Sequence, residues 1–266
     1  MHSKFKRVRS SYAGHLLTAI ILTAPQLGVC ADVYVVAPNQ FLQTPGETAF
    51  GYPFGIATVP PDSGSMRYQQ VFGASEFGAI SQGGGIFSQV GFRIDESFGH
   101  FFGTTLPDIQ IDLSTTSKAP DGLSATFADN VGTDDRVVVN RGKLQIFSSG
   151  PANVGNFSIV MNFTTPFFYN PASGKLLMDV HYYEAPRPGF DAQNPGFWDA
   201  TSVSGDAVSS LYARDVSSTI GTANTTGLIA AFTVTPIPEP ATLSLLGLAL
   251  GTLGIARWRA RRLQSK

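Results

Sequence analysis

Short segments that alternate between apolar and polar residues constrain the fold of this chain most. Residues 107–115 alternate cleanly, so that Ile109, Ile111 and Leu113 share one side of an extended strand. Between the two ends of the chain, no segment sustains a 3.6-residue apolar period over three turns. The pattern therefore predicts strands and disfavours a helical body.

Further segments of this kind recur between clusters of Gly, Pro, Asn and Asp. Many short strands with frequent turns indicate an all-β domain, a single β-sandwich or a jelly-roll-like fold. Hairpin turns are predicted at 140–143 and 171–175, and irregular stretches at 38–85 and 185–200. The predicted strands are 86–94, 107–115, 125–128, 136–140, 143–149, 156–164, 175–184, 207–213 and 228–234.

The first 31 residues have the composition of a secretory signal peptide. Basic residues precede an apolar run at 16–29, and small residues follow it. We place the cut between Ala31 and Asp32, after a signal helix in residues 1–31. Two alternatives stay open. One is an uncut anchor, disfavoured by the short run and by Pro25. The other is a lipoprotein acylated at Cys30, disfavoured by the large residue before it.

Residues 236–266 form a tail in three parts. The motif Pro238, Glu239 and Pro240 is followed by an uncharged stretch, 241–256, and then by a basic cluster. Sixteen helical residues span about 24 Å, which is short of the roughly 30 Å hydrocarbon core. Arginines favour the cytoplasmic side of a membrane, so we expect a short transmembrane helix with the body outside. The basic cluster comprises Arg257, Arg259, Arg261 and Arg262.

This tail resembles the PEP-CTERM sorting signal of Gram-negative bacteria in its motif, its short apolar stretch and its terminal arginines. The resemblance implies processing near 238–240 by an exosortase, in organisms that make extracellular polysaccharide. An ordinary C-terminal anchor that is never cut is the alternative. Three stretches of the body, 66–77, 106–132 and 164–180, resemble a recurring β-domain of exported PEP-CTERM proteins, and this resemblance implies no activity.

Charge is distributed unevenly along the chain. Between Asp32 and Glu239 there are 19 acidic and nine basic residues, a formal charge of −10, whereas both ends are basic. This balance argues against nucleic acid as a partner, because phosphates demand a basic surface. The single cysteine leaves with the signal peptide, so we expect one domain at 32–235 without a disulfide.

One acidic turn is the best candidate for a metal site. The oxygens of its side chains suit Ca²⁺, although their spacing matches no EF-hand and a solvated turn is the alternative. Zinc is disfavoured because the body has two distant histidines and no cysteine. The candidate calcium ligands are Asp129, Asn130, Asp134 and Asp135.

No catalytic arrangement emerges from the sequence. Asp108 and Asp112 lie about 13 Å apart along one strand, too far for a glycosidase pair. Asp179 and His181 alternate onto one face, where a structural histidine is the more ordinary interpretation. No G-x-S-x-G nucleophile elbow is present. We therefore expect no enzyme, and a secreted hydrolase is a remote alternative.

Aromatic residues in the irregular stretch 185–200 are the candidate ligand-binding side chains. Exposed rings stack on sugars, so Phe190, Phe197 and Trp198 predict a polysaccharide site unless they pack the loop onto the sandwich. The sequence thus predicts an exported protein, cut by signal peptidase, anchored transiently in the inner membrane and then held at the cell surface or outside. We expect a structural or adhesive role; the alternative is a polysaccharide-binding module, with or without calcium.

Overall fold

Thirteen β-strands and five short 3₁₀ turns make up the part of the chain that the structure describes. This computed structural model describes residues 31–54, 64–80, 83–98, 103–148, 153–184 and 197–237. The strands are β1 (Val33–Ala37), β2 (Thr48–Phe50), β3 (Met66–Phe72), β4 (Gly85–Phe92), β5 (Gly103–Thr116), β6 (Arg136–Phe147), β7 (Ile159–Tyr169), β8 (Lys175–Glu184), β9 (Trp198–Thr201), β10 (Val208–Ala213), β11 (Thr222–Asn224), β12 (Gly227–Leu228) and β13 (Ala230–Pro236).

Two antiparallel sheets contain most of these strands. The four-stranded sheet has the order β1–β13–β4–β7, and the six-stranded sheet has the order β11–β10–β3–β8–β5–β6. A small third sheet has the order β12–β9–β2. The prediction of an all-β sandwich is confirmed at this level. Within the described ranges no helix is long and apolar enough to cross a membrane; the predicted terminal helices, 1–31 and 241–256, lie outside the described residues apart from Ala31.

The core lies between the two large sheets, because each strand turns its apolar residues to one side. On β8, Leu176 and Tyr182 belong to a run of alternate residues that are all fully buried. Phe232 on β13 meets Phe72 on β3 edge to face, with 5.2 Å between the ring centroids, and so joins one sheet to the other. Burying one such ring contributes roughly 1.5–3 kcal/mol.

Strand β3 lies within the stretch that the sequence predicted to be irregular, 38–85. Met66 and Tyr68 enter the core, yet Gln69, which points to the other side of the strand, is also fully buried. The segment 117–135 covers the outer side of this strand, where the Gln69 amide donates to the Phe127 carbonyl at 3.1 Å. A strand buried on both sides loses the apolar–polar alternation by which strands are recognised, and this is why periodicity missed it.

The hairpin predicted at 140–143 is wrong, because β6 runs through it without a break. Its partner β5 is 14 residues long and offers hydrogen bonds along most of this length. Register shifts accommodate Gly142, whose φ of +149° suits glycine. The turn predicted at 171–175 is confirmed, since a 3₁₀ turn at Pro171–Ser173 joins β7 to β8. The strand predicted at 125–128 is wrong: a 3₁₀ turn spans Phe127–Asn130.

The two ends of the described body lie side by side. Strand β1 pairs with β13, and the Thr235 hydroxyl donates to the carboxylate of Asp32, the residue that follows the predicted signal cut. Directly after the last residue of β13, the Ile237 amide donates to the Gly84 carbonyl at 2.9 Å. The sheet hydrogen bonds therefore continue to the residue directly before Pro238.

Candidate functional site

The outer side of the six-stranded sheet carries a network of charged and amide side chains. Arg67 donates to the two oxygens of Asp179, at 3.3 and 2.8 Å, and Gln69 donates to one of them at 2.7 Å. His181 Nε2 lies 3.4 Å from Asp179 and 3.3 Å from Asp112. These five residues, here called the charged network, are brought together by strands β3, β5 and β8.

The structure separates the two carboxylates that the sequence placed on one strand face. Asp112 is buried in the charged network and accepts hydrogen bonds from the Gln110 amide at 2.9 and 3.0 Å. Asp108 instead pairs with Arg141 at 2.7 Å, and the Arg141 side chain is 55% exposed. Asp179 and His181, by contrast, do form the pair that strand alternation suggested.

Asp135 lies close enough to the charged network to feel its charges. Partial burial, together with the carboxylates of Asp112 and Asp179, raises the pKa of the Asp135 carboxyl to about 6, against the opposing effect of His181. Asp135 is also the last residue before β6, so the covering segment ends beside the network.

Three of the four predicted calcium ligands form hydrogen bonds that fix the covering segment 117–135 in this structure. Asn130 is fully buried and its amide donates to the Gln69 side chain at 3.0 Å. Asp129 accepts from a serine hydroxyl of the same segment at 2.9 Å, and Asp134 accepts from the Thr115 amide at 2.7 Å. Among the residues described, no group of three or more His, Cys, Asp or Glu side chains is arranged to hold a metal ion.

The charged network acts as a clamp: its contacts hold the covering segment 117–135 on the sheet. Both oxygens of Asp179 already accept hydrogen bonds, and Arg67 lies over the ring of Phe127 in the covering segment, 4.6 Å from its centroid. His181 retains only 17% side-chain exposure between its two carboxylates. The network therefore holds the segment on the sheet and offers no open carboxylate pair around a substrate cleft.

The four-stranded sheet differs because none of its strands contains a charged residue. Its outer side presents side chains in cross-strand rows, since paired residues point the same way. One row consists of Tyr34, Thr233, Gln89 and Asn162. The row nearer the chain ends consists of Thr235, Ile86 and Phe168. We call these seven residues the neutral face.

Part of the same sheet side is covered. A small apolar cluster joins Val36 and Ala231 to Phe41 and Phe157 from the neighbouring loops. The rows of the neutral face stay accessible, with Tyr34 51% and Phe168 48% exposed. The strands of this outer surface therefore carry no charge, and aromatic rings lie on the two edge strands; the Asp32 carboxylate, directly before β1, borders the face at Thr235.

The structure corrects the placement of the predicted aromatic site. Trp198 does not lie on an exposed loop: it begins strand β9, is fully buried, and packs against Phe54 with 5.5 Å between ring centroids. A buried ring offers no face to a sugar. Phe197 is half-buried, and Phe190 lies outside the described residues.

The sequence did not predict the neutral face, because the aromatic residues of the Gly- and Pro-rich stretch 185–200 were the more conspicuous candidates. A usable signal was present in the distribution of charge. Uncharged runs cover 77–92, 144–174 and 216–238, and these runs contain three of the four strands of this sheet. Strand β1 lies in a further uncharged run, 33–46.

Comparison with protein families identifies the tail. Residues 236–262 match the model of the PEP-CTERM protein-sorting motif, so the resemblance noted in the sequence is confirmed for this segment. The motif supports export, a membrane-anchored intermediate and surface localisation, with an exosortase as the processing partner. No curated protein and no solved structure gives a significant match to the chain.

Proposed function

We propose that this protein is an exported, non-catalytic surface protein with a structural or adhesive role. The observation that carries the proposal is the sorting motif, which begins at Pro236, the last residue of β13. The exported cargo is thus the sandwich itself. The strand order, with β1–β13–β4–β7 in one sheet and β3–β8–β5–β6 in the other, supports a jelly roll.

Signal peptidase cleavage between Ala31 and Asp32 is part of this proposal. It would leave β1 intact, because the strand begins at Val33. The transmembrane stretch at 241–256 would hold the body until an exosortase cuts near 238–240. Since β1 and β13 are antiparallel neighbours, both export segments are attached at the same end of the four-stranded sheet. This arrangement lets the sheet form while the chain is still attached to the membrane.

The test is replacement of Pro238, Glu239 and Pro240 by alanine in the full chain, produced in its host. We expect the variant to remain membrane-bound with its tail attached, whereas the wild type loses the mass of its tail. A matched control replaces Thr242 and Ser244 by alanine, which keeps the motif and the apolar stretch. Normal maturation of the motif variant, seen by mass spectrometry of cell fractions, would overturn the sorting proposal.

A polysaccharide-binding module is the second candidate, and the neutral face favours it. Calcium would assist only if the segment at 129–135 rearranged, because Asn130 and Asp134 are engaged in hydrogen bonds within the protein. A rise in melting temperature with CaCl₂ that EDTA reverses would support calcium binding. Nothing in the charged network favours the third alternative, a secreted hydrolase.

A further inference from the structure

The neutral face is an anomaly on an acidic protein. The stretch from Asp32 to Glu239 carries 19 acidic and nine basic residues, yet the four strands behind this face carry none of them. An outward sheet side is the ordinary place for charged residues, because charge keeps a surface solvated and discourages association. A ligand that binds this face is therefore selected by shape and hydrogen bonding and not by charge.

A row of amide and hydroxyl groups crosses three strands of the face. The Thr233 hydroxyl donates to Gln89 Oε1 at 2.9 Å, and the Gln89 amide donates to Asn162 Oδ1 at 2.7 Å. This chain of bonds fixes the orientation of each group and leaves the Asn162 amide hydrogens to donate outward. Fixed donors and acceptors in a line suit a ligand that repeats hydroxyl groups along its length.

Two exposed rings lie on the opposite edge strands, Tyr34 in this row and Phe168 in the neighbouring row nearer the chain ends. Across the strands, Tyr34 on β1 and Phe168 on β7 are separated by three strand spacings, roughly 14 Å. The Tyr34 ring is supported edge to face by Phe157, 6.0 Å away between centroids. Burial raises the pKa of the Tyr34 hydroxyl to about 12, against the opposing effect of Arg93, so this group stays neutral and able to donate.

We propose that the neutral face binds an extended, uncharged polysaccharide chain. Sugar rings present CH groups to aromatic faces and hydroxyl groups to amides, and the two neighbouring rows of the face supply both. The acidic body, including the Asp32 carboxylate beside Thr235, repels uronate polymers and nucleic acid, and the four strands of the face carry no charged residue of their own. This assignment deepens the second candidate function and rests on the export of the chain to the surface, where such polymers are found.

The experiment is a sedimentation assay with full-length protein purified in detergent. The probes are two particulate neutral polymers, cellulose and chitin, and calcium-cross-linked alginate as the polyanion. We expect retention on at least one neutral polymer and none on alginate. Combined substitution of Tyr34→Ala and Phe168→Ala should weaken retention about tenfold or more, since two stacking contacts are lost.

Two further variants separate binding from folding. Asn162→Ala removes an exposed amide and no ring, and should weaken retention about threefold, in keeping with the loss of one hydrogen bond. Phe147→Ala is the matched control, because Phe147 is 65% exposed but lies on β6 in the other sheet. It should bind like the wild type. All variants are compared after their melting curves match.

Several results would overturn the assignment. These are no retention of the wild type on either neutral polymer, preference for alginate, full retention of the double variant, or equal loss in Phe147→Ala. If the wild type elutes as a dimer in size-exclusion chromatography and the double variant as a monomer, the face binds a second copy of the chain and not a polysaccharide. Because the assay uses purified protein, its outcome is independent of the processing test of the sorting motif.

Discussion

The two large sheets of this sandwich share a core but differ in what they present outward. Strands β3, β5, β6 and β8 of the six-stranded sheet carry charged residues, and the outer side of this sheet is clamped under the segment 117–135. The strands of the four-stranded sheet carry none, and the rows of its neutral face lie open. On the six-stranded sheet the charged network lies under the covering segment while Arg141 stays exposed, whereas the strands of the four-stranded sheet present no charged residue.

This difference teaches where to look for function. A polar cluster with a histidine between two carboxylates draws attention first, but its groups are satisfied by one another and by the covering segment. Perturbed titration behaviour arises in structural networks as well as in active sites. The neutral face has no carboxylate, histidine or basic side chain, yet it combines accessibility, fixed hydrogen-bonding groups and exposed rings.

The sharpest test of the sandwich compares the two sides of one strand, β13. Phe232 is fully buried among Phe72, Phe77 and Phe87, so Phe232→Ala should lower the free energy of unfolding by about 3–5 kcal/mol. Thr233 points outward, and Thr233→Ala should cost about 1 kcal/mol or less. Urea unfolding measures both. Similar costs for the two variants would contradict the assignment of inner and outer sides.

The clamp role of the charged network predicts an intermediate effect. Asp179→Ala leaves Arg67 without its carboxylate and should cost about 3 kcal/mol, at the lower end for a buried pair because the Arg67 side chain keeps 19% exposure. Asp108→Ala breaks the exposed pair with Arg141 and serves as the control, with little change expected. If Asp179→Ala were as stable as the control, the network would not clamp the segment.

The smallest effect concerns pH. The pKa of Asp135 is about 6 in the folded protein, above the ordinary value of about 4 for an aspartate. Between these values the folded state holds the proton more tightly than the unfolded state, so this group makes stability fall as pH rises from 4 to 6. The melting temperature of Asp135→Asn should therefore fall less than that of the wild type when the pH is raised from 4 to 7.

The control for this measurement is Asp129→Asn, an exposed residue of the same segment, which keeps an oxygen acceptor for the Ser124 hydroxyl. It should follow the wild-type pH profile. An Asp135→Asn profile that also follows the wild type would show that the Asp135 carboxyl does not feel Asp112 and Asp179.

Sequence patterns predicted some elements of the fold well and others badly, for identifiable reasons. Strand β8 was predicted at its observed bounds, 175–184, because one side of it is apolar and the other carries Asp179 and His181. Strand β3 was missed because its outer side is covered as well. The aromatic site was misplaced because a tryptophan after a Gly- and Pro-rich stretch resembles a loop residue, whereas Trp198 pairs with β2.

The sequence alone determined the all-β class, the acidic body and the sorting tail, because each of these depends on local order: a two-residue period, a count of charges, or a contiguous motif. Only the tertiary structure decided which residues share a surface. Gln89 and Thr233 are 144 residues apart, yet they exchange a hydrogen bond on the neutral face. Such pairs form because β4 and β13 become neighbours in one sheet, and the choice of neighbours depends on long-range packing that no local pattern contains.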